Sequence, residues 1–347
     1  GSLFVFDKYP PAYLILTFSG FVILNIGFDN LSKLINVNLM NDRFNRENES
    51  FPQEQHLIQN LYSVNLATRY QYRDRTCEGW INVVNPFRGT MVIGTPGSGK
   101  SFSVVLPFIR QHLEKGFSMC VYDFKYPDLS EVAYTHFLKA KKKGSLPQKA
   151  GFYVINFDDI RKSYRCNPLS PELMESPIDA FESSRTVLYN LNREWIRKQG
   201  EFFSESAVSF FAAVIWFLKK YRNGEYCTLP HAIELLQLDY DDLFGILAQE
   251  KDVANIINPF INAHRRGASE QLEGQLGSLK IAISKIISKE IYWICSGNDF
   301  SLDINNPEHP KVVCLANNPL RIEMYGAVLS LYITRMLKVF NRKNQHK

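Results

Sequence analysis

The hydrophobic pattern of this chain changes character three times. Residues 12–28, Ala-Tyr-Leu-Ile-Leu-Thr-Phe-Ser-Gly-Phe-Val-Ile-Leu-Asn-Ile-Gly-Phe, carry no charge and are apolar all round instead of on one face. Such a run is at the short limit for a bilayer-crossing helix, so residues 1–28 read as a membrane segment. A buried core helix would tolerate Ser19, Gly20 and Asn25 equally well. Gly1-Ser2 reads as a vector-derived remnant, with further membrane sequence expected before it. Residues 29–61 are rich in Asn, Glu, Arg and Gln and read as a juxtamembrane linker.

From residue 62 to 170 the rhythm is that of strands alternating with helices. Aromatic and β-branched stretches such as 79–84 lead to an apolar strand, Met91-Val92-Ile93. A helix is expected over 101–115, with Pro107 kinking its interior. Residues 117–123 then form a near-continuous apolar strand of the buried kind. A polar helix follows, ending in the basic run 139–144, which reads most simply as a solvated helix end. A third strand spans 151–157. Strands separated by helix-length segments imply a parallel sheet with crossovers, an α/β fold.

Between 171 and 294 the strand signal disappears. Apolar residues recur at helical spacing through 181–191, 204–220, 231–238, 243–248 and 272–287, an all-helical insertion. The apolar run 207–218 is too short to span a membrane and belongs to a buried helix. The sheet pattern then resumes with a fourth strand at 311–316. An amphipathic helix over 321–340 puts Ile322, Tyr325, Leu329, Tyr332, Met336 and Phe340 on one side. The nucleotide-binding domain is therefore expected to comprise 62–170 and 295–347, around the helical domain at 171–294. No internal repeat is visible.

The chemistry lies where the first strand meets its helix. Gly94-Thr95-Pro96-Gly97-Ser98-Gly99-Lys100-Ser101 satisfies the spacing G-x-x-x-x-G-K-[ST], after an apolar run and at a helix start. Gly97 and Gly99 allow backbone conformations closed to other residues, so successive N–H groups converge on an anion. The helix end adds its positive pole. Lys100 would reach the outer phosphates of ATP, and the Ser101 hydroxyl would ligate Mg2+. These are the marks of a nucleoside-triphosphate site.

Composition narrows the picture. The hydrophobic fraction of 45% and aromatic fraction of 13% imply a filled core and exclude a disordered chain. A net charge of +5 does not by itself announce a nucleic-acid binder. The six cysteines stand singly, with no C-x-x-C pair, which excludes a zinc or disulfide framework and suits a reducing compartment. Cys120 and Cys314 sit in strand-like runs and are expected to be buried thiols.

Hydrolysis also needs an acid on a neighbouring strand. Asp123 ends one strand, but Phe124 follows it instead of a second acid. Asp158 and Asp159 follow a strand interrupted by Asn156, and the fourth strand ends in Ala316-Asn317-Asn318. Asp123 is the candidate catalytic and magnesium-shell acid, with Lys125 beside it. The alternative reading is that it caps the next turn.

These motifs together resemble the TraG-type conjugative coupling proteins, type IV secretion system coupling ATPases, with a MobC-like mobilisation branch as the nearest in character. The resemblance rests on the phosphate loop, then Tyr122-Asp123-Phe124-Lys125 with Asp128-Leu129-Ser130, then Arg165-Cys166-Asn167-Pro168-Leu169. It extends through residues 195–203 (Trp-Ile-Arg-Lys-Gln-Gly-Glu-Phe-Phe) and 300–307 (Phe-Ser-Leu-Asp-Ile-Asn-Asn-Pro). It implies a RecA-like P-loop NTPase domain and a membrane-anchored ATPase at the bacterial inner membrane, its motor domain in the cytoplasm. It further implies a homohexamer that couples a relaxase–single-stranded DNA complex to a type IV secretion channel. In that family an Asp-Glu strand follows the helix matched by 321–340, beyond Lys347, so this span alone is expected to bind ATP weakly and hydrolyse it hardly at all. The helical segment would dock substrate, with Arg193, Trp195, Arg197, Lys198, His264, Arg265 and Arg266 as contact candidates. Two other readings remain: a small-molecule kinase using Asp123, and a non-hydrolysing membrane adaptor that binds ATP.

Overall fold

The computed structural model describes residues 10–39, 51–73, 75–197 and 200–345. The chain divides into two compact units, residues 1–90 and 91–347.

In the first unit, helix α1 (Pro10–Leu39) carries Leu14, Ile15, Phe18, Ile23 and Phe28 exposed along its length. Its segment Leu14–Ser32 is long and apolar enough to cross a membrane. The helix runs on to Leu39, well past the expected end at residue 28, because the polar residues that follow are helix-compatible and no Pro or Gly stops them. The unit also contains an antiparallel hairpin, β1 (Val64–Tyr72) and β2 (Arg75–Val83), paired from Val64↔Val83 to Tyr72↔Arg75. Its facing pair Asn65 and Asn82 is locked by side chains. Asn65 Nδ2 donates to Asn82 Oδ1 at 2.6 Å and to the Ile58 carbonyl at 2.8 Å. The stretch around residues 79–84 is thus a strand, as its pattern predicts, but in a sheet of its own.

The second unit is built on a three-stranded parallel sheet ordered β3-β5-β4: β3 (Met119–Asp123), β5 (Lys311–Ala316) and β4 (Gly151–Ile155). β5 is buried along its whole length, and its alternate residues serve two cores. Val312 and Cys314 face one core. It is shared with α2 (Leu106–Glu114) through Ile109 and Leu113, and with α3 (Asp128–Lys143) through Ala133 and Phe137. Val313 and Leu315 face the other, which is continuous with the helical segment and with α13 (Ile322–Gln345). A parallel strand covered on both faces reads as an unbroken apolar run, which is why this strand is legible from its residues. The mixed α/β architecture with a parallel sheet is the fold class that the pattern implies.

The helical segment comprises α4 (Pro177–Leu191), α5 (Glu194–Arg197), α6 (Phe202–Lys220), α7 (Leu229–Leu236), α8 (Tyr240–Leu247), α9 (Lys251–Arg265), α10 (Ser269–Leu272), α11 (Ser278–Ser284) and α12 (Lys289–Cys295). α6 is long and apolar enough for a membrane, but its residues from Ala207 to Leu218 are buried except Ser209, so it is the core helix that its twelve-residue apolar run implies. α13 buries Tyr325, Leu329, Tyr332 and Met336 as expected, and Ala327, Val328, Leu331 and Arg335 besides. It is a central helix more than a surface one.

Three expectations are corrected. Met91-Val92-Ile93 forms no strand: Met91 is 85% and Ile93 82% exposed, and the run has no ladder partner among the described residues. Pro107 does not kink an α-helix. Residues Ser101–Val105 form a π turn, and Pro107 takes an early position in α2, where its missing N–H does least harm. Cys120 is exposed, because the helical layer that covers β4 and β5 leaves that face of β3 open, while Cys314 is buried as expected. All six cysteines are free thiols.

Candidate nucleotide site

The loop from Gly94 to Ser101 shows why its residue types are needed. Gly97 and Gly99 hold φ of 79° and 80°, where a side chain would strain the backbone. An added Cβ at Gly97 would meet nothing within 4 Å, so conformation alone demands glycine there. At Gly94 a Cβ would fall 2.6 Å from Ser98 Oγ, so that hydroxyl would have to turn aside, and at ordinary contact, 3.4 Å, from the Lys100 methylenes. The N–H of Ser98 donates to the Thr95 carbonyl at 3.2 Å, closing a turn, and that of Ser103 donates to Gly99 at 2.8 Å, opening the helix. The N–H groups just before Ser103 have no carbonyl one turn earlier and form the positive end of the helix.

Lys100 folds back across this loop. Its Nζ donates to the carbonyls of Gly94 (2.7 Å) and Thr95 (2.8 Å) and lies 3.4 Å from Ser98 Oγ. Thr95 and Pro96 are exposed, as are Ser98 and Ser101. The structure therefore brings Gly94, Thr95, Pro96, Gly97, Ser98, Gly99, Lys100 and Ser101 into one open, cation-bearing turn.

Asp123 is placed differently. It ends β3 at the carboxyl edge of the sheet, buried, and its Oδ2 accepts three hydrogen bonds from the first turn of α3. These come from the N–H of Leu129 (3.0 Å), the N–H of Ser130 (2.9 Å) and the Ser130 hydroxyl (2.8 Å). Its Oδ1 is buried and makes no hydrogen bond. Among the described residues no hydrogen bond joins Asp123 to the phosphate loop. Lys125 is exposed.

The same sheet edge carries a polar group that is an amide and not an acid, Asn317. The Asn317 N–H donates to the Asp123 carbonyl at 3.0 Å, and its Nδ2 donates to the Tyr122 hydroxyl at 2.7 Å. Burial raises the Tyr122 pKa and the bond from Asn317 moderates the rise. On β4's side, Asn156 Oδ1 accepts the N–H of Asp158 at 2.9 Å, and Asp158 lies 3.5 Å from the Arg321 guanidinium. An amide closing a buried apolar run was the available signal for Asn317.

Comparison with protein families matches residues 39–347 to the type IV secretory system conjugative DNA transfer family. The chain belongs to that family. It is the one to which the motifs point. Among solved structures it is similar to the bacterial conjugative coupling protein TrwBdeltaN70 in its unbound monoclinic form. There identity is 13%, coverage 70% of this chain and 50% of that one, and the TM-score 0.44. It is also similar to the plasmid coupling protein TrwB in complex with the non-hydrolysable GTP analogue GDPNP, at 14% identity, 70% and 51% coverage and a TM-score of 0.44. The chain thus spans about half the length of these solved proteins. No curated protein sequence matches it.

The other motifs of this family member form a clasp at the exit of β4. Arg165 N–H donates to Asp299 Oδ2 at 2.8 Å, its Nε donates to the Trp293 carbonyl at 3.1 Å, and its guanidinium lies 4.1 Å from the Trp293 ring centre. The N–H of Cys166 donates to the Ile294 carbonyl at 2.9 Å, and Tyr332 donates its hydroxyl hydrogen to the Cys166 carbonyl. Phe300 stacks on Tyr153 with ring centres 4.4 Å apart, and buried Lys311 donates to the Asp303 carbonyl at 2.8 Å. Both ends of the helical segment are thereby tied to the sheet. Of the contact candidates, Trp195 is buried and His264 pairs with Asp241 at 2.9 Å; Arg193, Arg197, Arg265 and Arg266 are exposed. Lys198 lies outside the described residues.

Proposed function

We propose that this chain supplies the nucleotide site and membrane anchor of an ATPase that couples a relaxase–single-stranded DNA complex to a type IV secretion channel, working as a homohexamer at the bacterial inner membrane. The observation that carries this reading is the turn Gly94–Ser101, with its two left-handed glycines, its helix start and Lys100 held at the loop's carbonyls. The residues fit ATP and Mg2+: the open space at Gly97 and the close approach at Gly94 make a backbone cradle that side chains would fill.

In that role the N–H groups of Gly97, Gly99, Lys100 and Ser101 bind phosphate oxygens and Lys100 exchanges the carbonyls of Gly94 and Thr95 for the outer phosphates. The Ser101 hydroxyl would hold the magnesium ion, which neutralises phosphate charge when bound. Asp123 serves in the layer behind, fixing the start of α3 against the sheet edge, with Lys125 outward of it. The nucleotide core is assigned to 62–170 and 295–347, and the helical segment 171–294 to substrate docking, with Arg193, Arg197, Arg265 and Arg266 as its outward cations. α1 provides the anchor, being apolar, exposed and long enough. The kinase reading has less support, since Asp123 Oδ2 is committed to Leu129 and Ser130.

The test is phosphate release by the full-length protein in detergent, with and without single-stranded DNA, alongside calorimetric titration of this chain with magnesium–ATP. Stimulation by DNA is expected. Absence of nucleotide binding, or phosphate transfer to a metabolite, overturns the proposal.

A further inference from the structure

Pro107 has no amide hydrogen, and its ring crowds the carbonyl four residues earlier, that of Ser103. An α-helix unbroken from Lys100 to Glu114 would lose a bond and clash there. The chain resolves this by widening the preceding turn. Residues Ser101–Val105 are π-helical, and the N–H of Leu106 donates to the carbonyl of Ser101, five residues back. Lys100, Val105 and Leu106 all keep right-handed helical angles, with φ of −49°, −64° and −63°. The widening therefore inserts one residue without ending the helix. Among the described residues the other π turn, Glu273–Gly277, contains no proline. At Ser101–Val105 a residue lacking a donor, Pro107, follows the wide turn after one intervening residue, Leu106.

The body of α2 is pinned. Ile109 and Leu113 are buried in the core with Val121 and Phe137. With that anchor fixed, one inserted residue rotates the helical residues at its start, Lys100 and Ser101, by about 100° around the helix axis, while the glycine loop ahead of them is free of that register. The flexible four-carbon stem of Lys100 can absorb such a rotation. The single carbon between the Ser101 backbone and its hydroxyl cannot.

We infer that Pro107 is a positioning residue for the magnesium ligand: by imposing the π turn it sets the direction of the Ser101 hydroxyl relative to the sheet. This rests on the nucleotide reading above and adds to it a determinant outside the loop motif. Pro107→Ala restores a donor, lets the turn anneal to α-helical register and swings the hydroxyl away, while the N–H groups of Gly97 and Gly99, in the loop ahead of the helix, and the Lys100 ammonium stay in use.

The experiment titrates this chain with a fluorescent ATP analogue, once with magnesium and once with a chelator. In the parent, magnesium strengthens binding. In Pro107→Ala that gain falls by about tenfold, as expected when a ligand's support is lost, while affinity in chelator is unchanged. Ser101→Ala loses the same gain, and the double variant Ser101→Ala/Pro107→Ala binds no more weakly than Ser101→Ala alone. A Pro107→Ala protein that keeps the parent's magnesium gain overturns the inference while leaving the nucleotide site standing. So does a further loss in the double variant, which would show that Pro107 acts elsewhere. No binding by the parent would remove the nucleotide reading, and this inference with it.

Discussion

Asn167 donates through Nδ2 to the carbonyl oxygen of Cys227, 2.8 Å away and 60 residues further along the chain, while its Oδ1 accepts the N–H of Leu169 at 3.0 Å. One buried amide thus closes the turn leaving the sheet and fastens that turn to the middle of the helical segment. Asn167→Ala would leave a buried carbonyl and a buried N–H unpaired, a loss of about 1–3 kcal/mol for each uncompensated group. The expected result is a lower urea midpoint with an unchanged slope. Asn167→Asp keeps the acceptor but sets a carboxylate against the Cys227 carbonyl, and should be at least as unstable. Unchanged midpoints in both variants would refute this account of the motif.

Lys100→Ala should abolish ATP binding with little change in stability. The side chain bonds to carbonyls of an exposed loop and fills no core, so its removal belongs with surface substitutions, within about 0.5 kcal/mol. Calorimetry with magnesium–ATP and a thermal melt on the same sample check both halves. Equal affinity in variant and parent would contradict the role given to Lys100.

Asp123 separates capping from magnesium binding. Asp123→Ala removes the acceptor for Leu129, Ser130 and the Ser130 hydroxyl, and should cost about 1–2 kcal/mol in the manner of a lost helix cap. Asp123→Asn retains an oxygen for those donors and should recover most of that stability. If it also retains the parent's affinity for magnesium–ATP, Asp123 acts only behind the site. A selective loss of magnesium-dependent affinity in Asp123→Asn would place it among the ion's own ligands.

Asp179 gives the fold a marked acid dependence. Burial would raise its pKa. The hydrogen bond from Lys338 and those from the N–H groups of Ser176 and Glu175 outweigh it and hold the carboxyl at about 2 instead of 3.8. A depressed carboxyl adds stability that is present above its unfolded value and lost as pH falls from about 4 towards 2. The parent's melting temperature should therefore drop more steeply between pH 5 and 3, by about one proton's linkage, than that of Asp179→Asn. Parallel curves would disprove the assignment.

How much was legible in the residues depended on whether the deciding contact was local. β5 announced itself because both its faces are buried, so every position after Lys311 is apolar. The phosphate loop was legible because its glycines answer to their own φ and to neighbours within six residues. Met91-Val92-Ile93 carries the same apolar signature as a buried strand, yet a strand also needs a partner ladder, and pairing is a property of distant chain. Asp123 was recognisable as a strand end, whereas the direction of its carboxylate was fixed by Ser130, on the next helix. The proline effect was foreseen at the right residue, but a kink and a widened turn relieve the same clash, and the pattern does not choose between them. Arg335 leaves no mark in the pattern. It is buried on α13 4.0 Å from Asp179 and donates to the Leu173 carbonyl, a cation on a face otherwise read as apolar.

The core that faces Val313 and Leu315 runs without a gap from the sheet through α6 to α12 and α13. A mechanical consequence follows from that continuity. Two bodies with separate interiors can swing about the strands of chain that join them, but bodies with a common interior transmit force as one beam, because a close-packed interior hardly compresses. A push delivered at the carboxyl ends of β3 and β5 would reach the far helices as a tilt of the whole block, with no slack taken up at residues 170–177 or 295–300. In amide hydrogen exchange, β5 and α6 should then open together, at a single free energy.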